Sequence, residues 1–282
     1  MPWRAVVRVL VTGDRGRVGS VVVADLVAAG HDVVGYDRVD GHDALDPQAL
    51  LAAADGCQGV IHLAHGYSGP ESTPHGVMEV NLQGAWNVLC AAEEAVVSRV
   101  VAISSVNALG VFMGEAAPDY LPIDDDHPCY PGRAYGISKR LSEDMCRLWS
   151  AKTGIPVVCL RPPAVWAPDR YAKIQEARRE RPEFEWKPIW EYGAFIDVRD
   201  LSAAILCALL KPFDGVGCLL VGSSDITTSG RTSREMAELV HPDVPWRGGE
   251  EYNDDPYRAL VSIDNARRAL GWEPQHTWRA VT

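Results

Sequence analysis

At 282 residues, with 47% apolar and 23% charged side chains, the chain suits one large α/β domain or a main domain carrying a small lobe, and its composition argues against wholesale disorder. A formal charge of −11 makes nucleic acid an improbable partner, because neutralising a phosphate backbone needs a surplus of Lys and Arg; local basic groups can still hold a small anion. No run of about 18 apolar residues occurs, so no membrane partner is expected, and the cysteines form no C-x-x-C pair and read as buried thiols of a reducing, cytoplasmic compartment.

The first apolar stretch, interrupted by Arg4 and Arg8, runs into a glycine turn and reads as a strand over Val6–Val11 rather than a signal peptide. Further strands are expected at Asp32–Tyr36, Gly59–Leu63, Val100–Ser104, Val157–Leu160 and Cys218–Val221. Helical patterns lie near Val18–Ala29, Pro47–Ala54, Gly76–Val97, Ala134–Lys152, Val198–Leu210, Thr232–Leu239 and Asp264–Leu270. Gly30 suits a helix end, and Asp46-Pro47 an N-cap followed by proline in the first turn. Apolar strands separated by helices imply a parallel sheet covered on both faces. The expected fold is therefore α/β, a Rossmann-type doubly wound parallel sheet with a small substrate-binding lobe. Residues 1–161 form the nucleotide-binding domain in this reading. The irregular stretches 162–193 and 222–258 form the lobe, and 194–221 and 259–282 return to pack on the main domain.

After the first strand, Gly13, Gly16 and Gly19 occupy the three glycine positions of a G-x-x-G-x-x-G loop that also holds Arg15, Arg17 and Val18. Glycine permits a tight turn and close approach to a pyrophosphate, and the following helix aims free N–H groups at the anion. About 20 residues further on, the second strand ends at Asp37, whose carboxylate can accept hydrogen bonds from the adenosine ribose and repel a 2′-phosphate. NAD is preferred over NADP, although Arg15 and Arg38 are near enough in sequence to keep NADP open.

Tyr135 and Lys139 are spaced i, i+4 at the start of an amphipathic helix, on one face. A free tyrosine, with a pKa of about 10, is a poor base at neutral pH, and a nearby ammonium stabilises its phenolate. The pair can take a proton from an alcohol as hydride leaves its carbon, or return it. By itself Y-x-x-x-K is also an ordinary exposed helix pair. Ser104-Ser105 at the end of the preceding strand add a hydroxyl where parallel sheets place their sites.

With these motifs in place, the chain resembles the extended short-chain dehydrogenase/reductase family, the NAD-dependent epimerase/dehydratases, over about Val6 to Trp272. Asp43-Ala44, Ile61-His62-Leu63-Ala64, Asn81-Leu82-Gln83-Gly84, Leu160-Arg161-Pro162, Phe195-Ile196-Asp197-Val198 and Ala269-Leu270-Gly271-Trp272 carry the likeness further. The resemblance implies that Ser105 orients substrate and Tyr135 is the general acid/base. Lys139 would tune Tyr135 and hold the nicotinamide ribose, and Asn81 would stand on the helix behind the site. The glycine loop, Asp37 and Arg38 would hold the dinucleotide, with Asp43 and Ala44 at the adenine. Leu63, Ala64, Ser104 and Pro162 would border the rest of the cofactor. A homodimer through the Tyr135 helix and the helix bearing Val77, Val80, Trp86 and Val88 is implied as well.

Three departures bear on the reaction. Relatives that dehydrate nucleotide sugars place Asp-Glu after the catalytic hydroxyl, where this chain has Val106-Asn107. Relatives acting on nucleotide-diphosphate sugars usually place Arg-Asp before the aromatic–apolar strand, where this chain has Gly193-Ala194. Nor does an arginine occupy the family's second diphosphate position, which falls near Glu251–Asp254, leaving Arg170, Arg178, Arg179, Arg181, Arg231 and Arg258 as other sources of positive charge. The chain is also short in its irregular lobe, like family members that oxidise free aldoses or uronic acids. The expectation is a net dehydrogenase of a small polyhydroxylated substrate. An epimerase with no net redox, or a catalytically silent NAD(P)-binding regulator, are the alternatives. His62 and His65 read as loop-packing groups rather than metal ligands, and Asp124-Asp125-Asp126 as a solvated loop. Trp166, Trp186 and Trp190 either stack on a sugar ring or build the lobe's core.

Overall fold

A computed structural model describes residues 6–66, 73–181, 191–228 and 230–280. Trp186, Trp190 and the Arg178 side chain lie outside the described residues. Six parallel strands form the main sheet: β1 (Arg8–Thr12), β2 (Asp32–Tyr36), β3 (Gly59–His62), β4 (Arg99–Ile103), β5 (Val157–Arg161) and, after the two short strands of a second sheet, β8 (Val216–Leu220). Their spatial order is β2-β1-β3-β4-β5-β8, the doubly wound arrangement expected from the sequence.

Alternation within the strands assigns the two cores. Val9, Val11 and Ile61 turn to one face, where they pack with Val22 and Leu26 of α1 (Arg17–Ala28) and Leu201, Ile205 and Leu209 of α7 (Val198–Leu210). Leu10, Val60 and Val100 turn to the other. There they meet Leu50 of α2 (Pro47–Ala54), Val88 and Leu89 of α4 (Gly84–Glu94) and Trp149 of α5 (Ala134–Thr153). Each fully buried Leu or Val adds roughly 1.5–3 kcal/mol, so the sheet's rigidity comes mainly from this two-sided burial. Between β1 and β3 the winding reverses. That opens a crevice at the strands' carboxyl ends, over Gly13 and Ala64.

Several boundaries differ from the sequence reading. The Gly76–Val97 helix is three pieces: α3 (Pro74–Met78), a π-helical turn at Glu79–Gln83 and α4. Its end falls at Glu94, because Val96 takes φ 52° in the closing turn, a place glycine usually fills. The stretch from 162 to 193 is less irregular than expected, with β6 (Ala164–Trp166) pairing in parallel with β7 (Phe195–Asp197). It also holds α6 (Pro168–Glu180), a helix whose charged composition hid its narrow buried stripe of Tyr171 and Ile174. Trp166 stacks on Phe195 at 4.5 Å between centroids and meets Tyr171 and Trp278 edge-on, so its ring belongs to the lobe's core. A third core gathers Phe112, Leu121, Ile123, Tyr192 and Ile226 with Met236 of α8 (Ser233–Val240). The remaining helices, α9 (Glu251–Asp254) and α10 (Asp264–Leu270), close the chain, and among the described residues no helix is long and apolar enough to cross a membrane.

Candidate active site

The dinucleotide cleft is set by backbone steric rules. Gly13 has φ +75° and donates its N–H to Tyr36 O at 2.8 Å, and a Cβ there would lie 2.8 Å from Ala64 N. At Gly19 a Cβ would fall 2.1 Å from Gly13 O, so helix α1 reaches the loop only because both positions are glycine. Gly16 caps α1 without a side-chain hydrogen bond, leaving the first-turn N–H groups to an anion. Gly13, Gly16, Asp37, Arg38, Asp43 and Ala44, with Leu63 and Ala64, line one cleft. A pyrophosphate fits this cradle by the same geometry that excludes a Cβ from it.

Asp37 caps the short turn Arg38–Asp40, its carboxylate accepting from Val39 N at 3.0 Å and Arg15 N at 3.2 Å. Tyr36 donates its hydroxyl to Asp43 O, fixing the loop that carries Asp43 and Ala44. Other expected contacts are made differently. Arg15 turns its side chain to Asp40 at 2.6 Å, Arg17 reaches Val165 O at 3.4 Å, and Val18 packs against the core. The Ser104 hydroxyl donates to Glu143 Oε1 at 2.6 Å. Pro162 is buried and accepts Val106 N at 3.1 Å, tying the start of the lobe to the turn after Ser105.

On the other side of the crevice, α5 presents Tyr135 in its first turn and Lys139 one turn later. The Lys139 ammonium lies 5.7 Å from the Tyr135 ring centroid and donates to Ile103 O at 2.7 Å. Burial lowers its pKa to about 8, while the negative charge of Glu143 pulls the other way. Ser105 caps the turn Val106–Leu109, its hydroxyl accepting Asn107 N at 3.1 Å. Gly136 lets the two elements meet, because a Cβ there would stand 2.5 Å from Asn107 O. Asn107 Oδ1 is buried beside this junction and has no hydrogen-bond partner among the described residues.

Beneath this surface lies a charged network that the sequence reading passed over. Arg161 grips both oxygens of Glu143, at 2.8 and 2.7 Å, and the two side chains are 3% and 1% exposed. Glu143 also receives Ser104, so one carboxylate of α5 joins the carboxyl ends of β4 and β5. The available signal was a lone Glu four residues beyond Lys139, on the face of α5 that meets the sheet. Asn81 donates to Ser138 Oγ at 2.8 Å, and Ser138 in turn donates to Tyr135 O at 2.8 Å. Its carboxamide also exchanges hydrogen bonds with Gly66, so in this geometry Asn81 positions the first turn of α5.

His62 is bonded to Thr12 Oγ1, and burial, with Lys139 nearby, lowers its pKa to about 3. The same causes take His65 to about 4, with its ring centroid 6.3 Å from that of Tyr135. Both imidazoles are neutral at physiological pH and add no charge beside Lys139. The Asp124–Asp126 segment is not a wholly solvated loop. Asp124 accepts the Tyr120 hydroxyl at 2.6 Å, and Asp125 accepts Leu220 N at the end of β8, with burial raising its pKa to about 6.

Fold and cleft together define a dinucleotide-binding protein, with Tyr135 and Lys139 on the side of the crevice opposite the glycine loop. The chain belongs to the NAD dependent epimerase/dehydratase family, whose model matches residues 9–219, and NAD is the cofactor its cleft accommodates. It is 27% identical to a UDP-glucose 4-epimerase of Azospirillum brasilense over 311 residues, covering 95% of this chain and 88% of the relative. An L-arabinose 1-dehydrogenase (NAD(P)(+)) of Haloferax volcanii is 32% identical over 168 residues, 55% of this chain and 65% of that one. Among solved structures, a short-chain dehydrogenase/reductase superfamily protein of Agrobacterium tumefaciens with bound NAD superposes with a TM-score of 0.70 at 25% identity, covering 97% of this chain and 94% of that chain.

Proposed function

We propose that the protein is a net NAD-dependent dehydrogenase that oxidises a secondary alcohol of a small, polyhydroxylated, sugar-like or sugar-acid-like substrate. The observation that carries this reading is the lobe beside β7. Where a diphosphate-gripping arginine would stand, the chain has Gly193, at φ +70°, and a buried Ala194. Arg258, from the alternative set, is committed to Asp264 at 2.8 Å. Burying a diphosphate without guanidinium partners is costly, which favours a substrate that has none.

Ser105 orients the reacting oxygen, and the Tyr135 phenolate accepts its proton, while Lys139 stabilises that phenolate and would hold the nicotinamide ribose of a bound NAD. When bound, NAD supplies the acceptor for the hydride that leaves the same carbon. Asn81, through Ser138, keeps Tyr135 in place. The free thiols fit a reducing, cytoplasmic compartment. Exposed Trp86 on α4 and Leu141 and Leu148 on α5 suit a homodimer formed through these helices, a state that sedimentation of Leu148→Glu beside the unmodified protein checks.

The second reading is an epimerase, favoured by the nearly full-length likeness to UDP-glucose 4-epimerases. Steady NADH formation from a panel of free aldoses and uronates supports the dehydrogenase. A stereochemical change in substrate without NADH accumulation supports the epimerase and rejects it.

A further inference from the structure

We infer that Asp40 is a specificity-determining residue, which enforces NAD over NADP by holding the Arg15 guanidinium away from the ribose edge of the cleft. The inference rests on the reading of the cleft as an NAD site. Arg15 donates its backbone N–H to Asp37 Oδ2, so it is joined directly to the carboxylate that faces the adenosine ribose. An arginine rooted there is the chemical complement of a ribose 2′-phosphate, because a guanidinium offers two parallel N–H donors to phosphate oxygens. Left to itself, Arg15 would recruit NADP and offset what Asp37 repels.

The fold directs that arginine elsewhere. Asp37 caps the turn Arg38–Asp40, which Gly41 closes at φ +83°, and this brings the Asp40 carboxylate back over the glycine loop. Arg15 Nε then donates to Asp40 Oδ2 at 2.6 Å, and Asp14 Oδ2 lies 3.7 Å away on another side. Two carboxylates, Asp14 and Asp40, thus flank the guanidinium, while Asp37 accepts the Arg15 backbone N–H, and an arriving 2′-phosphate meets net negative charge. Arg38 lines the cleft for either cofactor and stays in every variant considered, so its contribution cancels.

The pair is solvent-facing, with side chains 57% and 39% exposed, so its hold on Arg15 is modest and reversible. Removing the Asp40 carboxylate should therefore tighten NADP binding about three- to tenfold, with NAD affinity changed less than about twofold. Calorimetric titration of both cofactors into the full chain, without substrate, reads this directly. The decisive arm is a double-mutant cycle of Asp40→Ala, Arg15→Ala and both together. The inference requires that the NADP gain of Asp40→Ala vanish when Arg15 is also removed. A gain that persists in the double variant would make Asp40 a simple repulsive charge, and no gain in Asp40→Ala would end its role altogether. Failure of the unmodified chain to bind NAD would instead overturn the cofactor reading.

Discussion

The two sides of the crevice are built on different principles. On the cofactor side, function is carried by the backbone: Gly13 and Gly19 permit contacts that a single Cβ would forbid, and an uncapped helix offers its N–H groups. On the Tyr135 side the elements meet through buried charge: Glu143 and Arg161 pair with one another across α5 and β5, and Lys139 donates to Ile103 O. Such charges are stable inside a protein only when paired and hydrogen-bonded. The first side should respond to shape changes and tolerate polar ones, and the second the reverse.

The sharpest break in that contrast is Tyr135→Phe. It removes one oxygen and no volume, so the cofactor side should keep its NAD affinity, which fluorescence titration checks. Turnover should fall about 10²–10⁴-fold, the usual contribution of a general acid/base. Lys139→Ala should damage both, since in the proposed mechanism the same ammonium would stabilise the phenolate and hold the ribose. Near-normal turnover by Tyr135→Phe would send the search to another proton carrier.

The buried pair comes next. Glu143→Leu strands Arg161 in the core and should cost about 3–5 kcal/mol of stability in urea denaturation. Glu143→Leu combined with Arg161→Met should recover most of that loss, because an apolar pair of similar volume avoids desolvating two ions. Activity should not recover in step, as Ser104 still lacks its acceptor beside Ser105. Full activity in the double variant would make the network a matter of stability alone.

This asymmetry also governs what the sequence disclosed. The glycine spacing, Asp37 at the end of β2, and Tyr135 with Lys139 are short-range patterns, each within about one supersecondary unit. Their geometry follows from local steric rules, so they were legible. Glu143 and Arg161 lie 18 residues apart, and Ser104 lies 39 residues from Glu143. No local pattern marks them as partners, because only the sheet order brings the ends of β4 and β5 under α5. The same reason hid Asp125, whose neighbours in sequence are acidic but whose partner, Leu220 N, lies 95 residues away. Helix α6 was missed on different grounds: with Tyr171 and Ile174 as its buried residues, its hydrophobic period is too thin to read.

Asp125 supplies a pH test of this buried side. Burial raises its pKa from 3.8 to about 6, against the opposing pull of Leu220 N, Asn265 and Arg161, while Asp124 adds to the rise. A carboxyl with a raised folded-state pKa favours folding in its protonated form. Its contribution is complete below the unfolded value and is lost as pH climbs through about 6. The loss is on the order of 3 kcal/mol if the whole shift is realised. Asp125→Asn keeps an acceptor for Leu220 N and cannot ionise, so the variant should gain stability relative to the parent as pH rises from about 4 to 7. Parallel pH curves for the two proteins would show that this carboxyl is solvated after all.

The smallest effect tests the cofactor side through Asp37, whose carboxylate has two jobs. It faces the cleft, and it holds the loop by accepting Arg15 N and Val39 N. Asp37→Ala removes both, so a weaker NAD affinity in that variant alone does not separate charge from scaffolding. Asp37→Ser keeps a cap for Val39 N while deleting the charge. If the carboxylate acts by binding ribose hydroxyls and repelling a 2′-phosphate, both variants should weaken NAD by about tenfold or less and narrow its advantage over NADP alike. If it acts mainly by shaping the loop, Asp37→Ser should bind NAD almost as the parent does, while Asp37→Ala loses affinity for both cofactors together. Cofactor titration distinguishes these outcomes, and the second would mean that even the most legible acidic residue of the cleft works through the backbone it holds.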